Sequence, residues 1–287
     1  MKFKAAVLVN LKNPLVLDEL EVPPLQVGQV LVKVLCSGIC GSQIGEVNGV
    51  KGEDRFLPHL LGHEAMAEVL ECGPGVTTVS SGQRVVLHWR PGTGIQAACP
   101  VYKAAHLGKV NAGWITTFNE MAVISENRMT VVPFDTEPEI GALMGCAVTT
   151  GLGVVNNNAQ VKIGESVVVW GSGGVGLNIV QGAAMVSANP IIAIDLTPEK
   201  LALAASFGAT HTINAASQDP LEEVRNIVGS RGADVVIDNT GKIDVIRSCY
   251  DLTQAAGRTI LVGVPAKGSE ATFNTLPLHF DKVLTGS

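Results

Sequence analysis

The second half of the chain alternates short apolar runs with longer stretches of helical spacing. The apolar runs are rich in Val and Ile and lack a polar face, which is typical of strands that are buried on both sides. Strands that alternate with helices indicate an α/β fold with a parallel sheet. The predicted strands are residues 166–170, 191–195, 211–213, 233–237 and 259–262. The predicted helices include residues 175–187, a segment that starts at Pro198 after an N-cap at Thr197 and ends before Gly208, and residues 221–228.

The first half follows a different pattern. It contains short strands separated by Gly and Pro, for example residues 29–34, 84–87 and 129–132, and it shows few long helical periods. This pattern is typical of an irregular β domain. We therefore predict two domains, residues 1–147 and residues 148–287.

A glycine-rich motif follows the first strand of the second half. It lies between a predicted strand and a predicted helix, which is the position that a dinucleotide-binding loop requires. Gly171 would permit the tight turn, Gly173 would let the backbone approach a pyrophosphate, and Gly176 would let the helix pack closely on the strand. We predict that a dinucleotide coenzyme contacts Gly171, Ser172, Gly173, Gly174, Val175 and Gly176.

The acidic residue that follows this motif predicts NAD as the coenzyme. Asp195 ends the next predicted strand. A carboxylate there can accept hydrogen bonds from both hydroxyls of the adenosine ribose, and it would repel the 2′-phosphate of NADP. The alternative is a packing turn followed by a chance Asp, but strand, motif, helix and acid in this order favour coenzyme binding.

Composition and charge exclude other functions. The 287 residues are 46% hydrophobic, which excludes intrinsic disorder. Twenty basic and 26 acidic residues give a net charge of −6, so sequence-independent binding of nucleic acid is not expected. No run approaches the ~18 apolar residues that span a bilayer, and the apolar run at residues 5–9 is too short for the core of a secretion signal. We expect a cytoplasmic protein with no membrane or nucleic-acid partner.

Three residues of the first half belong to the types that bind catalytic zinc. Cys40, His63 and Cys146 would supply two thiolates and one imidazole, which leaves a fourth tetrahedral position for water or substrate. They are far apart along the chain, so their spacing alone does not connect them. The six cysteines are scattered, a usage that in a reducing compartment indicates core residues, metal ligands or catalytic groups more often than disulfides.

Taken together, these motifs resemble the zinc-dependent alcohol dehydrogenases of the medium-chain dehydrogenase/reductase family. The similarity extends over essentially the whole chain and includes Gly62-His63-Glu64, Gly73-Pro74-Gly75-Val76 and the glycine-rich motif, in family order. It implies a GroES-like catalytic β domain followed by a Rossmann domain with a doubly wound parallel sheet. It also implies an oxidoreductase that transfers a hydride between NAD and a small-molecule alcohol, or the aldehyde or ketone in reverse.

The resemblance assigns roles to single residues. Cys40, His63 and Cys146 match the catalytic zinc ligands of the family. Glu64 matches the acidic residue beside the metal, and Ser42 matches the hydroxyl that takes the proton of the alcohol. Outside the glycine-rich motif, the residues that match coenzyme contacts are Thr150, Asp195, Leu196, Lys200, Val262, Gly263 and Val264.

The chain departs from the family pattern at three positions. Gln43 stands where an Asp supports the zinc-bound histidine, and its amide oxygen is expected to accept the imidazole N–H while raising ligand basicity less. Gly45 stands where a histidine often ends the proton relay, so the relay is expected to pass from Ser42 through coenzyme hydroxyls to water or to use another group. Only Cys99 lies in the stretch 89–114, where many relatives carry four cysteines, so we expect one catalytic zinc and no structural zinc.

The end of the chain and the oligomeric state also follow from the resemblance. The family continues for some tens of residues beyond this C-terminus, so its return segment is expected to be missing, and the full-length form is expected to be a homo-dimer or homo-tetramer. Two alternatives stay open. A zinc-free quinone or enone reductase of the same superfamily would lack the ligand set, and a non-catalytic relative would bind NADH without converting any alcohol.

Overall fold

The change of pattern along the chain corresponds to a change of architecture. A computed structural model describes residues 1–287. The chain divides into two compact units, Met1–Cys146 and Ala147–Ser287, with ten strands in the first unit and six in the second. The division into residues 1–147 and 148–287 stays our prediction of the domain boundary.

The first unit consists of two small sheets. Its strands are β1 Lys2–Leu8, β2 Val16–Glu21, β3 Gln29–Ser37, β4 His59–Leu60, β5 Glu64–Cys72, β6 Arg84–His88, β7 Val101–Ala104, β8 Gly108–Asn111, β9 Met121–Ser125 and β10 Met129–Val131. Five strands close a barrel in the order β1-β2-β7-β8-β4, and the other five form a sheet in the order β10-β6-β5-β3-β9. Alternate side chains of β1 are buried, as expected of a strand with one face on the core.

Short helices flank the strands of the first unit at functionally placed turns. Helix α1 comprises Gly41–Val47 between β3 and β4, and helix α2 comprises Pro138–Met144 after β10. A single 3₁₀ turn, Glu126–Arg128, joins β9 to β10 and is buried along its length. Cys40 directly precedes α1, and Cys146 follows the end of α2 by two residues.

The second unit contains one six-stranded parallel sheet. Its strands are β11 Val167–Trp170, β12 Ile191–Asp195, β13 His211–Asn214, β14 Ala233–Asp238, β15 Thr253–Leu261 and β16 Val283–Gly286. The order across the sheet is β13-β12-β11-β14-β15-β16. The chain runs outward from β11 to β13 and then returns to β14, so a crevice opens at the carboxyl ends of β11 and β14, where such sheets bind ligands.

Helices cover this sheet, because its Val and Ile side chains are buried on both faces. Pro198 begins its helix and Gly208, at φ +112°, follows the helix end as predicted, but the Thr197 side chain caps no N–H group. No single helix of the chain is long and apolar enough to cross a membrane; Pro138–Met144 and Ala147–Asn158 meet that test only when joined. The helices are α3 Ala147–Gly153, extended by a π-helical turn at Val154–Asn158, α4 Gly174–Met185, α5 Pro198–Ser206, α6 Pro220–Val228, α7 Ile243–Leu252 and α8 Leu276–His279.

Candidate metal centre and coenzyme loop

Cys40 is placed by the start of helix α1. It is the residue before the first helical position and its backbone is extended. The Gln43 side chain, 3% exposed, turns back so that its Oε1 accepts a hydrogen bond from the Cys40 N–H at 2.9 Å. This reciprocal cap fixes the direction in which the Cys40 side chain leaves the helix.

Cys146 is placed by a close approach between helix α2 and the five-stranded sheet. Gly145 directly precedes it, and a Cβ on Gly145 would lie 2.2 Å from the Leu87 carbonyl oxygen and 2.9 Å from Glu64 Cβ. Only a residue without a side chain permits this contact. The Glu64 side chain is itself buried and fills the space beside Gly38.

The three residues that the family resemblance connects lie together in the first unit. His63 occupies the short connection between β4 and β5, and its ring nitrogen and the sulfurs of Cys40 and Cys146 all lie within 4.8 Å of one another. The two sulfurs are 4.0 Å apart. The Cys146 sulfur and then the His63 ring lower the pKa of the Cys40 thiol, which favours the thiolate that metals bind.

The donor set fits a zinc ion. The Nε2 atom of His63 is buried and has no hydrogen-bond partner, an arrangement that a metal bond at this atom would satisfy. Two sulfurs and one imidazole nitrogen are preferred ligands of zinc, and three protein ligands are the number found in catalytic sites.

The contact of His63 with Gln43 differs from the sequence prediction. The amide nitrogen Nε2 of Gln43, not its oxygen, faces Nδ1 of His63 at 2.5 Å. The oxygen is already used, because it accepts from the Cys40 N–H as part of the helix cap. The amide therefore presents a donor where the expected interaction required an acceptor.

The predicted proton acceptor is next to this cluster in sequence. Ser42 follows Cys40 by two residues, and its buried Oγ has no hydrogen-bond partner. Gly45 contributes no side chain, and its nearest neighbour is Val50. The catalytic assignments of Ser42 and Glu64 stay predictions.

Trp89 lies beside the cluster, and His59 precedes His63 by four residues. The indole ring of Trp89 is 6.3 Å from the His63 ring, centroid to centroid, and Trp89 is 50% exposed. His59, in contrast, uses both ring nitrogens, one with Asp54 Oδ2 at 2.8 Å and one with the Leu60 carbonyl at 2.9 Å. His59 is therefore a structural residue, and Trp89 is the aromatic side chain beside the candidate ligands.

The glycine-rich motif forms the turn between β11 and α4. Gly171 has φ +98°, and a Cβ on Gly176 would lie 1.8 Å from the Gly171 carbonyl oxygen. Around Gly173, by contrast, no atom lies within 4 Å of the Cβ position. The turn is therefore tightly packed at Gly176, while the backbone at Gly173 is open. A pyrophosphate site requires both features.

Asp195 is tied to this turn. Its Oδ2 accepts a hydrogen bond from the Ser172 N–H at 2.8 Å, and its Oδ1 accepts from the Leu196 and Thr197 N–H groups at 2.8 and 3.0 Å. Partial burial would raise the pKa of Asp195, but these bonds and the charge of Lys200 outweigh burial and lower it. The carboxylate is therefore ionised and held at the carboxyl end of β12.

The remaining predicted coenzyme contacts lie around the same edge of the second unit. Thr150 belongs to helix α3, which packs on α4 so closely that a Cβ on Gly151 would lie 2.4 Å from Asn178 Cβ. The N–H groups of Val262 and Gly263 donate to the Asp238 carbonyl at 2.8 and 3.1 Å. Val264, further along, is 62% exposed.

Sequence reasoning missed the turn after β14. The buried carboxylate of Asp238 accepts hydrogen bonds from the Thr240 hydroxyl at 2.7 Å and the Gly241 N–H at 3.0 Å. Asn239 donates to the Gly171 carbonyl at 3.4 Å. The run Asp-Asn-Thr-Gly at the carboxyl end of an apolar strand is the signal that could have identified this turn as a neighbour of the coenzyme loop.

Comparison with known families matches both units. A family model of alcohol dehydrogenase GroES-like domains matches residues 26–134, and a model of zinc-binding dehydrogenases matches residues 174–286. The fold and the Cys-His-Cys cluster thus define a zinc-type dehydrogenase with a GroES-like and a Rossmann unit.

Similar proteins narrow this class to a family. The S-(hydroxymethyl)glutathione dehydrogenase of Synechocystis sp. is 34% identical over 94% of this chain and 80% of its own length, and that of Escherichia coli O6:H1 is 33% identical over 100% and 85%. An alcohol dehydrogenase zinc-binding domain protein from Burkholderia ambifaria superposes with a TM-score of 0.90 at 28% identity. Benzyl alcohol dehydrogenase from Acinetobacter calcoaceticus gives 0.88 at 27%, and both structures are matched over 100% of this chain and 84% of their own. The chain belongs to the zinc-dependent alcohol dehydrogenases of the medium-chain family, which confirms the predicted fold class and family.

Proposed function

We propose that this chain uses one zinc ion and NAD to interconvert an alcohol and the corresponding aldehyde or ketone. The observation that carries the proposal is the convergence of Cys40, His63 and Cys146, whose ligand atoms lie within 4.8 Å of one another, with a buried and unpartnered His63 Nε2. The similarity to alcohol dehydrogenases over the whole chain supports the reaction class.

The three ligands would hold the zinc and leave one position for substrate. Zinc at such a site polarises the oxygen of an alcohol or carbonyl. In our proposal the buried Ser42 Oγ, two residues after Cys40, would take the proton of the alcohol. The buried Glu64 supports the charge of the centre from beside it. Since Gly45 supplies no side chain, the proton would have to leave Ser42 by a route other than a side chain at residue 45.

We propose a single zinc for each chain. The segment that carries four cysteines in many relatives contains only Cys99 here, and Cys99 is exposed. One thiol cannot complete a four-ligand structural site.

The zinc proposal is tested by metal analysis together with turnover. The purified chain should hold one zinc and reduce NAD with an alcohol from a test panel. The panel includes benzyl alcohol and S-(hydroxymethyl)glutathione, because these compounds appear in the names of similar proteins. Cys146→Ser should lose at least about 90% of its zinc and its turnover, because one of three protein ligands is removed, whereas Cys72→Ser should keep both.

A zinc-free wild-type chain that reduces quinones would support the zinc-free reductase instead. Stoichiometric NADH binding with no turnover would support a non-catalytic relative.

We further propose NAD, bound through the glycine loop and Asp195, as the coenzyme. An ionised Asp195 at the end of β12 would accept hydrogen bonds from the adenosine ribose and would repel a 2′-phosphate. The affinity for NADH, measured by fluorescence titration, should exceed the affinity for NADPH at least about tenfold. Asp195→Ala should bring the two affinities closer together. Asp219→Ala is the matched control, since Asp219 also accepts two backbone N–H bonds in the same unit, but as the cap of α6. Tighter binding of NADPH to the wild-type chain would contradict this assignment.

The free cysteines indicate a compartment, and the family resemblance indicates an oligomeric state. All six cysteines are free, which suits a reducing compartment, so we propose the cytoplasm as the site of action. We also propose, from the family resemblance, that the chain assembles as a dimer or tetramer. Light scattering of the purified protein measures this directly.

A further inference from the structure

A buried arginine lies behind the aromatic side chain of the metal centre. Arg128 ends the 3₁₀ turn between β9 and β10 and is 5% exposed. Its Nη1 donates a hydrogen bond to the Trp89 carbonyl, and its Nη2 donates to Gln96 Oε1 at 3.2 Å. The guanidinium carbon is 5.6 Å from the centre of the Trp89 ring and 5.0 Å from the centre of the Trp114 ring.

The charge of Arg128 has no acidic partner. A buried cation is costly unless it is paired, yet no carboxylate forms an ion pair with Arg128. The neighbouring Glu126 directs its carboxylate to the N–H groups of Thr77, Thr78 and Ile95. Two indole faces, one carbonyl and one amide oxygen are left to balance the guanidinium, so cation–π contacts with the tryptophans are a main part of its environment.

Arg128 contacts both the backbone and the side chain of Trp89. Arg128 binds the Trp89 carbonyl through a hydrogen bond and the Trp89 ring through its flat face, so backbone and side chain are fixed together. The Trp89 ring also lies 6.3 Å from the His63 ring, centroid to centroid, and half of the residue is exposed to solvent. Trp89 is therefore a partly exposed aromatic wall that Arg128 holds beside one of the candidate zinc ligands.

We propose that Arg128 is a positioning residue that sets the size selectivity of the enzyme by fixing Trp89 beside the metal centre. The inference rests on the proposed function, because it assigns a substrate to that centre. A rigid wall discriminates between alcohols by the shape of the carbon skeleton. A wall free to rotate accepts both small and bulky skeletons, so selectivity falls while the zinc ligands are untouched.

The test compares two arginines of the same unit. Arg128→Met removes the charge and the donors but keeps an unbranched side chain. Arg84→Met is the matched control, because Arg84 also stacks on an aromatic ring, that of Phe134 at 4.4 Å, and donates to a carbonyl, that of Thr136 at 3.4 Å, but has no contact with the ligand cluster. The ratio of kcat/KM between benzyl alcohol and a small primary alcohol is measured for each variant, with zinc content and acrylamide quenching of tryptophan fluorescence.

Arg128→Met should move the selectivity ratio toward one by roughly tenfold, keep its zinc and make one tryptophan more accessible to quencher. Trp89→Phe in the Arg128→Met background should abolish the added quenching, which identifies the residue. Arg128→Lys keeps the charge and should retain more of the selectivity than Arg128→Met. If Arg128→Met does not fold, the same measurements are made on Arg128→Lys.

An unchanged selectivity ratio in both Arg128 variants, or a change of the same size in Arg84→Met, would overturn the proposal. Unaltered quenching of Trp89 would overturn it as well. Failure of the proposed function itself is distinguishable, since then the wild-type chain turns over no alcohol, while the quenching experiment still reports whether Arg128 fixes Trp89.

Discussion

At the residue scale, the side-chain amide of Gln43 contacts both Cys40 and His63. With the amide oxygen engaged by the Cys40 N–H, the amide nitrogen donates toward Nδ1 of His63. A neutral imidazole that accepts at Nδ1 carries its proton at Nε2, which is the buried atom available to the metal. Zinc bound through Nε2 would need the tautomer that carries its proton on Nδ1, and an acceptor at residue 43 would favour that tautomer.

Gln43→Asp should therefore strengthen zinc retention. A carboxylate accepts the Nδ1–H of the metal-binding tautomer and raises the basicity of the ligand, an effect worth about 10- to 100-fold in metal affinity for such supporting groups. Residual zinc is measured by metal analysis after dialysis against a chelator.

The control for this experiment is Gln83→Asp. Gln83 Oε1 accepts the Ser80 N–H at 2.8 Å, the same local bond that Gln43 makes to Cys40, but it lies at an exposed turn. The interpretation of Gln43 fails if the two variants and the wild-type chain lose zinc at the same rate.

At the element scale, one carboxylate fastens the barrel of the first unit. Asp18, on β2, is 5% exposed and accepts hydrogen bonds from the His106 ring at 2.8 Å, from the Leu107 N–H at 2.9 Å and from the Glu19 N–H at 2.8 Å. Burial would raise the pKa of Asp18, but the His106 ring and the backbone donors outweigh it and lower the pKa from 3.8 to about 2. The bonds join β2 to the turn between β7 and β8.

This shift predicts acid sensitivity of the first unit. Because the folded state binds the Asp18 proton less tightly than the unfolded chain, the stabilisation is complete above about pH 4 and is lost as the pH falls toward 2. Asp18→Asn should lower the free energy of unfolding by ~2 kcal/mol at pH 7 and flatten its dependence on pH below 4. Thermal unfolding between pH 2.5 and 7 measures both effects.

Glu19→Gln provides the comparison, since Glu19 is the neighbouring acid but its side chain makes an exposed ion pair with Lys2, which is expected to contribute little to the free energy of unfolding. Equal losses of stability in Asp18→Asn and Glu19→Gln would show that burial and hydrogen bonding of Asp18 have no special role.

Most strands and helices between Val167 and Leu261 were predictable because they carry local signals. A continuous apolar run such as 191–195 can only be buried on both faces, and Pro198 and Gly208 mark the ends of a helix locally. The barrel of the first unit lacks such signals. Its two-residue strand β4 pairs with β1 and β8, and pairing between segments so distant is set by the whole barrel, not by two residues.

At the scale of the whole molecule, the parts of the candidate site that come from distant segments could not be predicted from local sequence. The glycine loop was readable because its residues are contiguous, whereas Cys40, His63 and Cys146 are separated in sequence and only a family resemblance connected them. The orientation of Gln43 and the role of Arg128 depend on which groups already occupy each donor and acceptor. Such competition between partners is a property of the folded site.

All three candidate metal ligands precede Ala147, and every candidate coenzyme contact follows Cys146. Each of the two candidate sites is therefore encoded in one uninterrupted stretch of gene. A chimera joined between Cys146 and Ala147 should take its candidate metal ligands from one parent and its candidate coenzyme contacts from the other.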